Sequence, residues 1–105
     1  MEKRSVRITV IKRLDKRAIL DEETLRCAPT GDPKCPKFQE GDTFLVEDLG
    51  NPSPIFPCQW AYHDIFKEVM HLALGGRFFW MNPTDSIVVC CTDGLRPVLF
   101  KLEAL

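Results

Sequence analysis

Long apolar runs are missing from this chain, and so is an excess of either charge. No stretch approaches the roughly 20 residues that a membrane-spanning helix needs, and the charged opening MEKRSVR leads into no apolar signal core. The expectation is a cytoplasmic protein with no membrane partner. Lys plus Arg number 14 against 15 Asp plus Glu, a net charge of −1. The basic surplus that attracts nucleic acid is therefore absent, and no nucleic-acid partner is expected. There is no P-loop, dinucleotide fingerprint, Ser-centred elbow, EF-hand or CxxC pair. A conventional cofactor enzyme is not expected on those grounds. Histidine is scarce too. His63 and His71 lie too far apart for the paired histidines of a zinc helix, and both fit a solvated, ion-pairing role better than catalysis.

What is present is a chain of 105 residues, 45% of them hydrophobic, enough for one modest core in a single domain. Val6, Ile8 and Val10 alternate with Arg7, Thr9 and Lys12, the period of a half-buried strand over Ser5 to Arg13, with Ile11 breaking the alternation. Asp15 can cap a short helix running to about Arg26. Cys27 to Pro36 (CAPTGDPKCP) and Asp48 to Pro57 (DLGNPSPIFP) are too rich in proline for regular structure. Between them, Thr43 to Glu47 reads as a strand entered through a Gly41-Asp42 turn.

From Gln59 to Leu74, Tyr62, Ile65, Phe66, Val69, Leu72 and Ala73 recur at helical spacing, and Gly75-Gly76 supplies a left-handed stop. Two β-rich runs follow, Ser86 to Thr92 and Leu95 to Glu103, split by Asp93-Gly94, a strong hairpin signal. A two-residue turn there sets Val89 opposite Val98 and Cys91 opposite Arg96. It also puts Ile87, Val89, Cys91, Arg96, Val98, Phe100 and Leu102 on one face. The fold class is α+β: about four mostly antiparallel strands, the main helix packed on the sheet and a shorter helix over 15–26.

The unusual feature is five cysteines, Cys27, Cys35, Cys58, Cys90 and Cys91. An odd count without a secretion signal argues against a disulfide framework, which leaves metal ligands, reactive thiols or buried packing. Cys58 stands where the main helix begins, on the face of Tyr62, Ile65 and Val69, where helix N–H groups favour a thiolate. Cys35 is bracketed by loop residues including Pro36. Arg96 across from Cys91 would favour its thiolate as well, and an Arg followed by Pro is held stiffly enough to bind an anion.

Three functions follow. In the first, Cys35, Cys58, Cys90 and Cys91 converge on zinc or an iron–sulfur cluster. Adjacent strand residues point to opposite faces, so Cys90 and Cys91 both reach one ion only through a bulge. In the second, Cys58 works with Cys90 or Cys91 as a redox or covalent thiol site, with Cys58, Cys91 and Arg96 the candidate catalytic residues. A vicinal Cys90–Cys91 disulfide is a strained variant of that idea. In the third, the chain is a non-catalytic interaction module with buried thiols. Cys27 belongs to no site in any of them. Trp60 is expected in the core. The run Phe78-Phe79-Trp80 is too apolar to face solvent throughout and points to a homo-oligomer. Any small-molecule or protein partner stays unnamed.

The segments Cys35-Pro36-x-Phe38-x-x-Gly41, Cys58-x-Trp60-Ala61 and Cys90-Cys91-Thr92-Asp93-Gly94-Leu95-Arg96-Pro97-Val98 resemble an uncharacterised family of small prokaryotic proteins known only as a domain model. The likeness spans nearly the whole chain. It implies no activity, but it singles out Cys35, Cys58, Cys90 and Cys91 and leaves Cys27 aside. This chain departs from it at Tyr62, where the family pattern has tryptophan.

Overall fold

The computed structural model describes residues 3–27, 31–47 and 56–105. Strand β1 (Val6–Arg13) is followed by short helices α1 (Lys16–Ile19) and α2 (Glu22–Cys27), then strand β2 (Thr43–Val46). Helix α3 (Gln59–Ala73) and strands β3 (Ser86–Cys90) and β4 (Val98–Ala104) complete the chain. The strands form one antiparallel sheet in the order β2-β1-β4-β3. The fold is α+β. No helix among the described residues is long and apolar enough to cross a membrane. Most of the expected proline-rich loop over 48–57, and residues 28–30 of the first one, lie outside the described residues.

The alternation read in β1 decides which face is buried. Val6, Ile8 and Val10 are fully buried, and they pair with Val46 and Phe44 on one side and with Leu102 and Phe100 on the other. Ile11 breaks the pattern because it is a bulge. The β1–β4 register shifts between Val10 and Lys12, leaving Ile11 opposite no partner and 42% exposed. Gly41, at φ +91°, makes the turn into β2, and its N–H donates to the Val10 carbonyl at 2.7 Å.

Helix α3 lies on the buried face through Ala61, Tyr62, Ile65, Val69, Leu72 and Ala73. It ends in a Schellman closure, with Gly75 at φ +90° and the Gly76 N–H donating to the His71 carbonyl at 2.8 Å. The single helix expected over 15–26 is two. Asp15 caps the first, and the Asp21 carboxylate takes the Thr24 N–H at 2.7 Å to begin the second, so the chain restarts instead of continuing. The Arg17 side chain, then its backbone N–H, hold the Asp15 carboxyl down at about 2. That cap is complete above the free aspartate range near ~3.9 and is lost only as pH falls toward 2.

Phe38 seals the core from the loop side. It is 1% exposed and meets Phe44, Phe56 and Phe100 edge-on, with ring centroids 5.2–6.2 Å apart. Tyr62 keeps an aromatic at its place, 5.5 Å from the Phe56 ring, but its hydroxyl is buried with no partner among the described residues. Burial pushes that phenol above its ordinary value. Two substitutions follow from this contrast and are read by denaturant unfolding. Phe38→Ala is expected to cost about 3–5 kcal/mol. Tyr62→Phe removes an unpaired buried group and is expected to stabilise by about 1 kcal/mol.

Candidate functional site: a cavity walled by three cysteines

The site is decided at one end of the sheet. Cys91 follows β3, at the next inward position after Ile87 and Val89, and is 9% exposed. Its N–H donates to the Val98 carbonyl at 3.1 Å, and the Val98 N–H donates to Cys91 Sγ at 3.3 Å. The two-residue turn at Asp93-Gly94 is therefore corrected. Val89 pairs with Phe100, not Val98, and Thr92–Pro97 form a wider loop. The Asp93 carboxylate shapes that loop by accepting the N–H groups of Leu95 and Arg96 at 2.9 and 3.2 Å. Register moves by two residues, so each side chain keeps its face. Arg96, however, is not opposite Cys91. Pro97 falls before β4 begins, where its missing donor costs the sheet nothing.

Helix α3 starts at the same end. Cys58 is its N-cap, extended at φ −138° and ψ 111°, and Cys58 Sγ accepts the Ala61 N–H at 3.4 Å. The third wall is the segment Cys35–Phe38. Phe38 anchors it in the core, and Arg13 Nη1 donates to the Cys35 carbonyl at 3.1 Å while its Nε holds Glu40. Cys35, Cys58 and Cys91 all line one cavity of about 440 Å³, together with Trp60, Asp93 and Arg96.

Cys90 is not part of it. As the neighbour of Cys91 in a pleated strand it faces the opposite side of the sheet and is exposed. Partial burial, then the Cys91 sulfur and the Asp64 carboxylate, push the Cys90 thiol up from its ordinary value. The register runs on to Cys91 without a bulge, yet the Cys90 thiol is still hydrogen-bonded to the Cys91 sulfur. Cys27, at the end of α2, is exposed and away from the cavity, and all five cysteines are free thiols. Among the described residues no three His, Cys, Asp or Glu side chains form a group that could hold a metal ion.

The chain matches no family model, no curated protein and no solved structure.

One residue that was expected elsewhere belongs to this end of the molecule. Trp60 is not in the core; it is 67% exposed, because it follows the N-cap on the outer side of α3. Its indole N–H donates to Thr92 Oγ1 at 2.8 Å. Thr92 in turn donates to Asp64, through its N–H at 2.7 Å and its hydroxyl at 3.0 Å. Asp64 and Thr92 thus fasten the start of α3 to the residue after Cys91. Nothing in the local sequence marks such a pair, since the partners are 28 positions apart.

His71 is corrected as well. Its Nε2 lies 2.8 Å from the Arg77 carbonyl and its ring packs on Phe78 at 4.7 Å, so it clamps the turn after α3 instead of forming an ion pair. Of the aromatic run that follows, Phe78 is buried while Phe79 and Trp80 are 88% and 62% exposed.

The Asp64–Thr92–Trp60 chain can be tested by fluorescence in a Trp80→Phe background, which leaves one indole. Thr92→Val or Asp64→Asn is expected to cost about 1 kcal/mol and to shift Trp60 emission to the red, with easier quenching. An unshifted spectrum would mean that these hydrogen bonds do not hold the helix start.

Proposed function

We propose that this protein carries out thiol–disulfide exchange in the cavity, with Cys58 as the attacking thiol and Cys91 or Cys35 as the resolving one. The observation that carries the reading is the sharing of one cavity by Cys35, Cys58 and Cys91 while Cys90 lies outside. A four-thiolate metal centre needs a fourth sulfur, and a single covalent nucleophile needs no companions. Several free thiols facing one space suit a reaction in which one sulfur attacks and a second displaces it.

Cys58 fits the attacking role because its sulfur is half-buried at the positive end of a 15-residue helix and receives a backbone N–H. Cys91, more deeply buried, fits the resolving role. The Cys58 thiolate attacks one sulfur of a bound disulfide, forming a new S–S bond and breaking the old one. The departing thiolate takes up the proton that Cys58 released. The second cavity thiol then attacks Cys58 Sγ, expels the remaining thiolate and gives it its own proton. Two electrons pass from the protein dithiol to the ligand disulfide, which leaves as two thiols; an external dithiol reverses the sequence.

The same three sulfurs favour a second reading, a zinc or iron–sulfur site completed by side-chain rotation and a ligand from outside the cavity. The thiol reading leads because the donors do not form a metal-holding group among the described residues. One preparation separates them: protein purified without oxygen or chelator, analysed for metal and sulfide and then treated with a small disulfide under time-resolved mass spectrometry. The expected result is metal-free protein that is modified first on the Cys58 peptide, with the fast phase lost in Cys58→Ser. Stoichiometric metal that is lost in Cys58→Ser would establish the second reading. Modification of Cys27 alone in metal-free protein would remove both.

A further inference from the structure

We infer that the cavity selects small disulfides and thiols that carry an acidic group, and that Arg96 is the residue that seats it. The inference rests on the exchange chemistry proposed above and adds the charge of its substrate.

Among the half-buried arginines, Arg96 is set apart by what its side chain lacks. Three arginines are half-buried: Arg4, Arg13 and Arg96. Arg4 ends on Asp85 at 3.2 Å and Arg13 on Glu40 at 3.0 Å. Among the described residues Arg96 has no carboxylate partner. Its one side-chain hydrogen bond among them runs from Nη1 to the Asp32 carbonyl at 3.5 Å, the outer limit for such a contact. Partly desolvating a guanidinium without a counter-charge is unfavourable, and a ligand carboxylate matches its fork of donors.

The backbone of Arg96 is also held in advance. Its N–H is tied to Asp93 Oδ1 at 3.2 Å, and Pro97 confines it to extended geometry. Lys37 adds a second positive charge to the lining, and Asp93 supplies the opposing negative one. The Asp93 carboxylate keeps its charge while accepting two backbone N–H groups, so two cations against one anion leave the lining with a net positive charge. Trp60 and Phe38 give an apolar wall beside the thiols. A volume of about 440 Å³ suits a low-molecular-weight ligand better than a folded protein's disulfide.

The test uses the full reduced chain and three probes: anionic dithiobis-nitrobenzoate, neutral dithiodipyridine and cationic cystamine. Rates at Cys58 are each divided by the rate of a simple reference thiol, which removes intrinsic reactivity. The anionic probe is expected to lead the cationic one, and Arg96→Gln to lower their ratio about tenfold, the scale of one lost charge-assisted contact. Arg96→Lys is expected to restore part of that ratio, and Arg26→Gln, an exposed arginine away from the cavity, to leave it alone. A ratio near unity in the native chain, or one that Arg96→Gln does not change, would overturn the assignment while leaving the exchange chemistry in place. Slowing of all three probes by the same factor would make Arg96 a structural residue and overturn it equally. A Cys58 inert to every probe would instead remove the exchange reading itself, and the selectivity with it.

Discussion

The structure turns on one requirement: the apolar side of α3 must lie on the inward face of the sheet. Ile65, Val69 and Leu72 are fully buried there, against a sheet whose central strands contribute Val6, Ile8, Val10, Phe100 and Leu102. At about 25 cal/mol per Å² of apolar surface, this burial outweighs any single polar contact in the molecule. Once the helix is seated, the position of its first turn follows, and with it the position of Cys58. The cysteine site is a by-product of where that helix has to start.

The pleat then sorts the hairpin cysteines. Consecutive residues face opposite sides, so Cys91 enters the cavity region and Cys90 faces outward, where its thiol is pushed up. The Asp64–Thr92–Trp60 chain fixes the next residue to α3, so the two thiol-bearing segments cannot drift apart without breaking hydrogen bonds. Phe38 secures the third segment through the core. Three separate anchors therefore converge on one space, each using a different kind of interaction.

Much of this was legible in the residue pattern, because periodicity reports burial directly. Alternation in β1, the helical face of α3 and the Gly75 stop all carry their own physical signal, and the break in alternation at Ile11 lies where the register shifts. The side-chain faces of the β3–β4 hairpin survived an error in loop length for the same reason, since register slipped by an even step. What stayed hidden depends on contacts between distant residues. The Asp-Gly pair resembles a tight turn, but the Asp93 carboxylate instead organises a longer loop. Trp60 looks like core by composition, yet its indole is needed outside, on Thr92. The grouping of Cys35 with Cys58 and Cys91 was expected as part of a four-cysteine site, but what holds Cys35 in place, the packing of Phe38, carries no local signal.

The most direct test of the shared cavity is peptide mapping of the disulfide formed when the reduced chain is oxidised slowly at low protein concentration. The account predicts an intramolecular link joining Cys58 to Cys91 or Cys35, with Cys27 and Cys90 still open to alkylation. A Cys90–Cys91 bridge, or links made only through Cys27 between chains, would contradict it, because the cavity thiols would then not be neighbours in solution.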